Sequence, residues 1–299
     1  MTRRNGNSRG PKPGTLVIIG GHEDKSGEQV ILRALTDQCD GGALVVVTVA
    51  SDLPDEQWTD YEKVFRGHGV RRVRHFHVDT REEALADGRL KPFDDATVVF
   101  FTGGDQLKLT SQLGDTPVFT RVREIYEHGG CVGGTSAGAS VVCETMLVSG
   151  NSGSSPHIED SLRMAPGFGL IPGIIVDQHF AERGRMGRLI GAVAQNPRII
   201  GVGIDENTAI VCHGHDSFTV IGDGGVYVVD ARDVTRSNLL EGERDQTLSV
   251  FDMRLHLLNV GDEFDLGERR PRSAPADTAL ARVGSGGGDG EGEQAGKRR

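Results

Sequence analysis

A chain of 299 residues, 36% hydrophobic and 25% charged, is long enough for a sizeable core. It has no apolar run near the roughly 18–20 residues of a membrane span. A formal net charge of -10 speaks against a nucleic-acid binder, and four cysteines with no C-x-x-C pair are too sparse for a disulfide scaffold. The start, Met1-Thr2-Arg3-Arg4, is basic but leads into Ser, Gly and Pro rather than an apolar stretch, so the expected compartment is the cytoplasm.

Residues 1–13 read as a disordered polar lead. The end, from about Arg269, reads as a low-complexity tail (269–299) that cannot bury a core. The expected folded unit is therefore a single α/β domain over 14–268. Within it, Thr15–Gly21 is an apolar, β-branched strand closing in glycines, and Glu28–Gln38 carries helical spacing at Val30, Ile31 and Leu35. Ala43–Ala50 is a buried-type strand, Asp55–Gly67 a polar helix, Arg72–Asp79 an alternating strand and Glu82–Leu85 a short helix. Ala96–Thr102 is another buried strand ending in Gly-Gly, and Thr116–His128 is a helix. Gly173–Val176 and Ile199–Ile204 follow as strands around a helix at Met186–Ala194, then a strand at Thr208–Val211. Phe218–Ile221 and Gly225–Val229 suggest a hairpin across Gly222-Asp223-Gly224, with this smaller antiparallel portion extending the same sheet. Continuous apolar strands separated by helices predict a mostly parallel sheet covered on both faces, a doubly wound three-layer α/β sandwich.

The most specific motif is Gly134-Thr135-Ser136-Ala137-Gly138, between the short apolar run at Cys131 and a helix-compatible run. G-x-S-x-G between strand and helix is the sequence form of a nucleophile elbow, which holds a serine hydroxyl exposed on a strained turn. A tight turn or phosphate-binding loop would use the same glycines, so the serine also needs a base and an acid. Ligands in open α/β sheets bind beyond the carboxyl ends of the strands. The rim expected there carries Gly20-Gly21-His22-Glu23-Asp24-Lys25, Gly103-Gly104-Asp105-Gln106, Thr135-Ser136 and Asp177-Gln178-His179-Phe180. His179 is the candidate base, and Asp205-Glu206, after the strand at Ile199, supply a candidate acid. The order Ser, His, acid differs from that of the α/β-hydrolases. Other histidines compete. His75-x-His77-x-Asp79 has metal-ligand spacing on one strand face, although a half-exposed strand shows the same alternation. His213 and His215 carry the same ambiguity. Arg185 and Arg188 share one face of the following helix, whose N-terminus would favour a bound carboxylate. The alternative is a solvated basic helix start.

Taken together, these segments resemble the cyanophycinase family. The matching stretches are Ile19-Gly20-Gly21-x-Glu23-Asp24-Lys25, Gly103-Gly104-Asp105-Gln106, the elbow, Asp177-Gln178-His179-Phe180-x-x-Arg183-x-Arg185-x-x-Arg188-Leu189, and Gly203-Ile204-Asp205-Glu206-x-Thr208-Ala209. The resemblance covers about 14–268 and leaves out both ends, and His22 falls on a variable position. It implies a fold like peptidase E and the class I glutamine amidotransferases, in a homodimer, with no metal and no cofactor. The implied activity is serine-type exopeptidase hydrolysis of cyanophycin, a poly-aspartate chain bearing arginine on each β-carboxyl, to β-Asp-Arg through an acyl-enzyme. Carried over by motif, Ser136 is the nucleophile, His179 the base and Glu206 the orienting acid. Gln106, Asp177, Gln178, Arg183, Arg185 and Arg188 form the substrate pocket. The oxyanion hole is assigned to the N–H groups of Gly104 and Ala137. The alternatives are a peptidase E-like dipeptidase for aspartyl or isoaspartyl dipeptides, against which the arginine cluster speaks, and a non-catalytic peptide-binding module.

Overall fold

The computed structural model describes residues 13–150, 162–240 and 246–273. The expected lead up to residue 12 and the tail from 274 onward lie outside the described residues. The first half alternates strand and helix: β1 (Thr15–Ile19), α1 (Val30–Thr36), β2 (Ala43–Val47), α2 (Pro54–Gly67), β3 (Val73–Phe76), α3 (Arg81–Leu85), β4 (Ala96–Phe101), α4 (Gln106–Leu113), α5 (Pro117–Glu127), β5 (Cys131–Thr135) and α6 (Ala137–Val141). Strands β3, β2, β4, β5 and β1 lie side by side in that order and run parallel. Their side chains alternate between two buried faces. Val17, Ile19, Val46 and Phe100 meet Leu32 of α1 and Tyr61 and Phe65 of α2. Ile18, Val45, Val47 and Phe101 point the other way, toward Leu109 of α4 and Phe119 and Val122 of α5. Burial on both faces is why β1 and β2 read as near-continuous apolar runs, whereas the half-buried β3 alternates.

The second half adds a hairpin, β6 (Thr145–Ser149) and β7 (Arg163–Pro166), then β8 (Ile174–Gln178), α7 (Met186–Gln195), β9 (Ile200–Ile204), β10 (Thr208–His213), β11 (Ser217–Gly222) and β12 (Val226–Asp230). Short strands follow: β13 (Arg236–Ser237), β14 (Val250–Phe251), β15 (Arg254–Leu258), β16 (Glu263–Asp265) and β17 (Arg270–Arg272). β10, β11, β16 and β17 extend the large sheet antiparallel from β1 to nine strands. β8, β9, β12 and β15 instead make a separate four-stranded sheet. One of its faces, with Val176, Val202 and Val228, joins the core beneath α5 and α6, and the other, with Ile175 and Val229, packs on Leu189 and Val193 of α7.

Two expectations change. The hairpin across 222–224 does not form, because β11 pairs with β10 and β16 while β12 pairs with β9 and β15. Gly222 adopts φ 99, and a Cβ there would sit 2.3 Å from the Asn207 carbonyl oxygen, so the chain leaves one sheet and enters the other at this point. The C-terminal strands therefore divide between two sheets rather than extending one. Strand pairing also runs past residue 268, since β17 lies on β16. A helix passed over in the sequence, α4, starts where Asp105 accepts the Leu107 N–H at 2.8 Å and buries Leu109 and Leu113.

Candidate active site

The two sheets meet at the carboxyl end of β1. There Ser136 N–H donates to the Ile19 carbonyl (3.1 Å), His179 N–H to Gly20 (2.8 Å) and Asn207 N–H to Gly21 (2.9 Å). One short glycine segment thus holds the ends of β5, β8 and the β9–β10 turn in register. Four non-glycine residues here have left-handed backbone: His22 (φ 48), Ser136 (φ 53), His179 (φ 47) and Asn207 (φ 46). Such strain concentrates where side chains must be aimed. The elbow closes tightly: a Cβ on Gly134 would meet the Gly138 carbonyl oxygen at 2.2 Å. Only glycine lets α6 leave β5 at that angle.

This geometry brings Ser136, His179 and Glu206 together. Ser136 Oγ is 3.0 Å from His179 Nε2, and His179 Nδ1 is 2.7 Å from Glu206 Oε1. The network assigns the imidazole proton to Nδ1, where it faces the carboxylate, and leaves the Nε2 lone pair to accept from the serine hydroxyl. Burial pulls the His179 pKa below 6.5, aided by Arg183 and His22 and opposed by Glu206, so the ring is neutral and basic near pH 7. Burial works against the Glu206 charge, but hydrogen bonds from His179 and His22 outweigh it and hold its pKa below the ordinary 4.5. Asp205, the other acid left open by the sequence, accepts from Ala181 N–H (2.9 Å) and Gly225 N–H (3.1 Å) and so pins loops. Burial, the largest influence, raises its pKa against those bonds.

A cavity of about 290 Å³ opens over Ser136 and His179 and is lined by Gly103, Gly104, Glu23, Lys25 and Arg183 among others. Ala137 opens α6 directly after the serine, and a Cβ on Gly103 would touch Ser136 Cβ at 3.4 Å, so the Gly103-Gly104 loop faces Ser136. Arg183 is exposed and has no carboxylate partner among the described residues. Arg185 and Arg188 differ. Arg185 Nη1 donates to Asp177 Oδ1 (3.0 Å) and to Gln178 Oε1 (2.7 Å), and Arg188 Nε donates to Asp177 Oδ2 (2.6 Å). All four residues are buried. The open carboxylate clamp expected at the start of α7 is therefore corrected: these guanidinium groups share the one carboxylate of Asp177, turn inward to it and form a wall. Removal from water draws the Arg185 pKa down to about 10, against the pull of Asp177. Gln106 is buried too, donating to the Leu147 carbonyl (3.0 Å), while Gln178 Nε2 reaches Ser140 Oγ (3.4 Å).

The rings of His75 and His77 both turn toward Thr48. Their ring nitrogens lie 2.8 and 3.1 Å from Thr48 Oγ1, and Trp58 stacks on His75. His215 contacts the Leu170 carbonyl, far from the serine in the chain's layout. Sequence reasoning put Glu23 on the rim without giving it a part. Its buried carboxylate accepts from Tyr61 and from Thr135 Oγ1 (2.6 Å), so it fixes the residue before Ser136. A glutamate two residues after the glycines that close an apolar strand was the available signal.

The model of peptidase family S51 matches residues 16–220. The chain is 37% identical over 256 residues to a cyanophycinase from Synechococcus elongatus, spanning 85% of this chain and 79% of the relative. It is 38% identical over 258 residues to a cyanophycinase from Trichormus variabilis, spanning 85% and 86%. The crystal structure of a peptidase from an acI-B1 Actinobacterium shares the fold, with a TM-score of 0.58 and 24% identity over 86% of this chain and 98% of that one. An α/β sandwich with a serine on its elbow, matched over most of its length by this family's model, belongs to peptidase family S51.

Proposed function

We propose that this protein is a cyanophycinase, a serine-type exopeptidase that releases β-Asp-Arg dipeptides from the polymer. The observation that carries the chemistry is the continuous relay from Ser136 Oγ through the His179 ring to Glu206. The substrate follows from the cyanophycinases that align over 85% of the chain.

In this proposal Ser136 Oγ attacks the scissile carbonyl carbon while His179 Nε2 takes the hydroxyl proton. The tetrahedral oxyanion faces the N–H groups of Gly104 and Ala137, at the start of α6. His179 then gives its proton to the leaving amine, the C–N bond breaks, and an ester to Ser136 remains. Water, deprotonated by the same nitrogen, attacks the ester; the C–Oγ bond breaks, and the proton on His179 returns to the serine. Glu206 stays ionised throughout and stabilises the imidazolium. Arg183 meets a substrate carboxylate at the mouth. Gln106, Asp177, Gln178, Arg185 and Arg188 shape the pocket wall. The proposal includes one catalytic unit from residue 14 through the paired strand at 270–272, action in the cytoplasm and a homodimer; light scattering on the purified protein would test the dimer.

The decisive experiment incubates purified protein and its Ser136→Ala variant with insoluble cyanophycin and reads soluble products by mass spectrometry. β-Asp-Arg from wild type alone is the expected result. No release from folded wild type, with turnover of short aspartyl dipeptides instead, would replace the proposal by the dipeptidase reading.

A further inference from the structure

His22 takes no part in the steps above, yet its ring lies against the catalytic acid. Its Nδ1 is 2.8 Å from Glu206 Oε2, while His179 Nδ1 is 2.7 Å from Oε1 of the same carboxylate. The two imidazoles meet edge to face with centroids 5.0 Å apart. Donor atoms from His22, His179 and Glu206 all fall within 4.8 Å of one another. Two imidazole nitrogens and a carboxylate oxygen are a donor set for a borderline-soft divalent ion. Around one tetrahedral ion with bonds of about 2.0–2.2 Å, such atoms stand roughly 3.3–3.6 Å apart. Small side-chain rotations reach that spacing. The His22 side chain is 71% exposed, so it is free to make them and gives an ion a path in from solvent.

We propose that His22, His179 and Glu206 form an inhibitory site for a divalent transition ion, with zinc as the probe. Coordination through His179 Nδ1 requires the lone pair of that nitrogen. The single imidazole proton therefore moves, by exchange with water, from Nδ1 to Nε2. Ser136 Oγ then faces an N–H instead of a lone pair, and the serine has no base. Only coordinate bonds form, and no electron is transferred. The nearby Arg183 cation opposes the ion, so three converging donors are needed and His22 decides whether they suffice.

The test needs no polymer and is independent of the substrate proposed above. Chelator-treated wild type, His22→Ala and His22→Cys are each dialysed to equilibrium against zinc. In parallel, Ser136 is labelled with a fluorophosphonate, and each rate is compared with that variant's own zinc-free rate. The expected result is one more zinc bound by wild type than by His22→Ala, and labelling suppressed by zinc and restored by EDTA. Half-suppression of His22→Ala should need at least roughly tenfold more zinc, with a thiolate at the same position restoring sensitivity. Equal zinc sensitivity of wild type and His22→Ala, or unchanged labelling of wild type in zinc, overturns the proposal. Were wild type never labelled, the nucleophile assignment would fail while the dialysis still read the metal site.

Discussion

Replacing Gly21 by alanine tests whether the base is positioned by the missing side chain at the end of β1. Gly21 has φ 109, and a Cβ built there would lie 2.3 Å from His179 Cε1 and 2.6 Å from Nε2. Ordinary contact begins near 3.4 Å, so the ring must retreat by about 1.1 Å. Starting from 3.0 Å, a retreat of that size away from Ser136 breaks the Oγ–Nε2 hydrogen bond. A misplacement of about 1 Å at a reacting group costs on the order of a hundredfold, and kcat/KM should fall by at least that much. The left-handed backbone adds about 1–3 kcal/mol of strain for a residue with a Cβ, which lowers Tm by several degrees without unfolding the protein. The assay is dipeptide release from cyanophycin, with fluorophosphonate labelling of Ser136 and a thermal melt on the same sample. If the variant melts as a folded protein yet keeps more than roughly a tenth of wild-type kcat/KM, the reasoning fails.

Glu206→Gln should lose about 10³–10⁴ in kcat, because an amide no longer fixes the Nδ1–H tautomer or balances the imidazolium. Asp205→Asn should stay within about tenfold of wild type and show its effect in the melting curve, since Asp205 binds Ala181 and Gly225. The reverse ranking, by the same release assay, would make Asp205 the acid. The active form of His179 is the neutral one, so kcat/KM is full above its pKa and falls as pH drops through it. With that pKa depressed, the acid limb should have its midpoint below 6.5, and Arg183→Gln should move it up by removing a cation. A midpoint at or above 6.5 in a pH–rate profile contradicts this. Asp177→Asn leaves two buried guanidinium groups without their carboxylate and should cost about 3–5 kcal/mol in a denaturant titration. A loss below about 1 kcal/mol would show that the arginines find other partners.

The parallel half of the fold was legible because β2 is buried on both faces and apolar at every position, and β4 departs from that only at the part-buried Thr97. The elbow was legible for a related reason. Its glycines are demanded by close backbone approach, a local constraint that writes itself into a few adjacent residues. The split of β11 and β12 was not legible. A Gly-Asp-Gly turn between two strands of ordinary length is compatible with a hairpin as well as with a crossing between sheets. Which one forms depends on what waits on either side: β10 and β16 for β11, and β9 and β15 for β12.

By itself, the sequence determined the α/β class and the short set of residues, Ser136, His179, Asp205 and Glu206, from which a nucleophile, base and acid were proposed. Those follow from periodicity and from residue chemistry, which are properties of neighbouring positions in the chain. The motif resemblance had already named Glu206 as the acid, and in the structure its carboxylate, not that of Asp205, meets His179; only the tertiary structure decided that Arg183 faces the cavity while Arg185 and Arg188 turn inward to Asp177. Adjacent residues on a turn and on a helix start point in different directions. Which direction faces the cavity is fixed by the backbone hydrogen bonds that tie the ends of β8 and β9 to Gly20 and Gly21, across more than a hundred residues of chain.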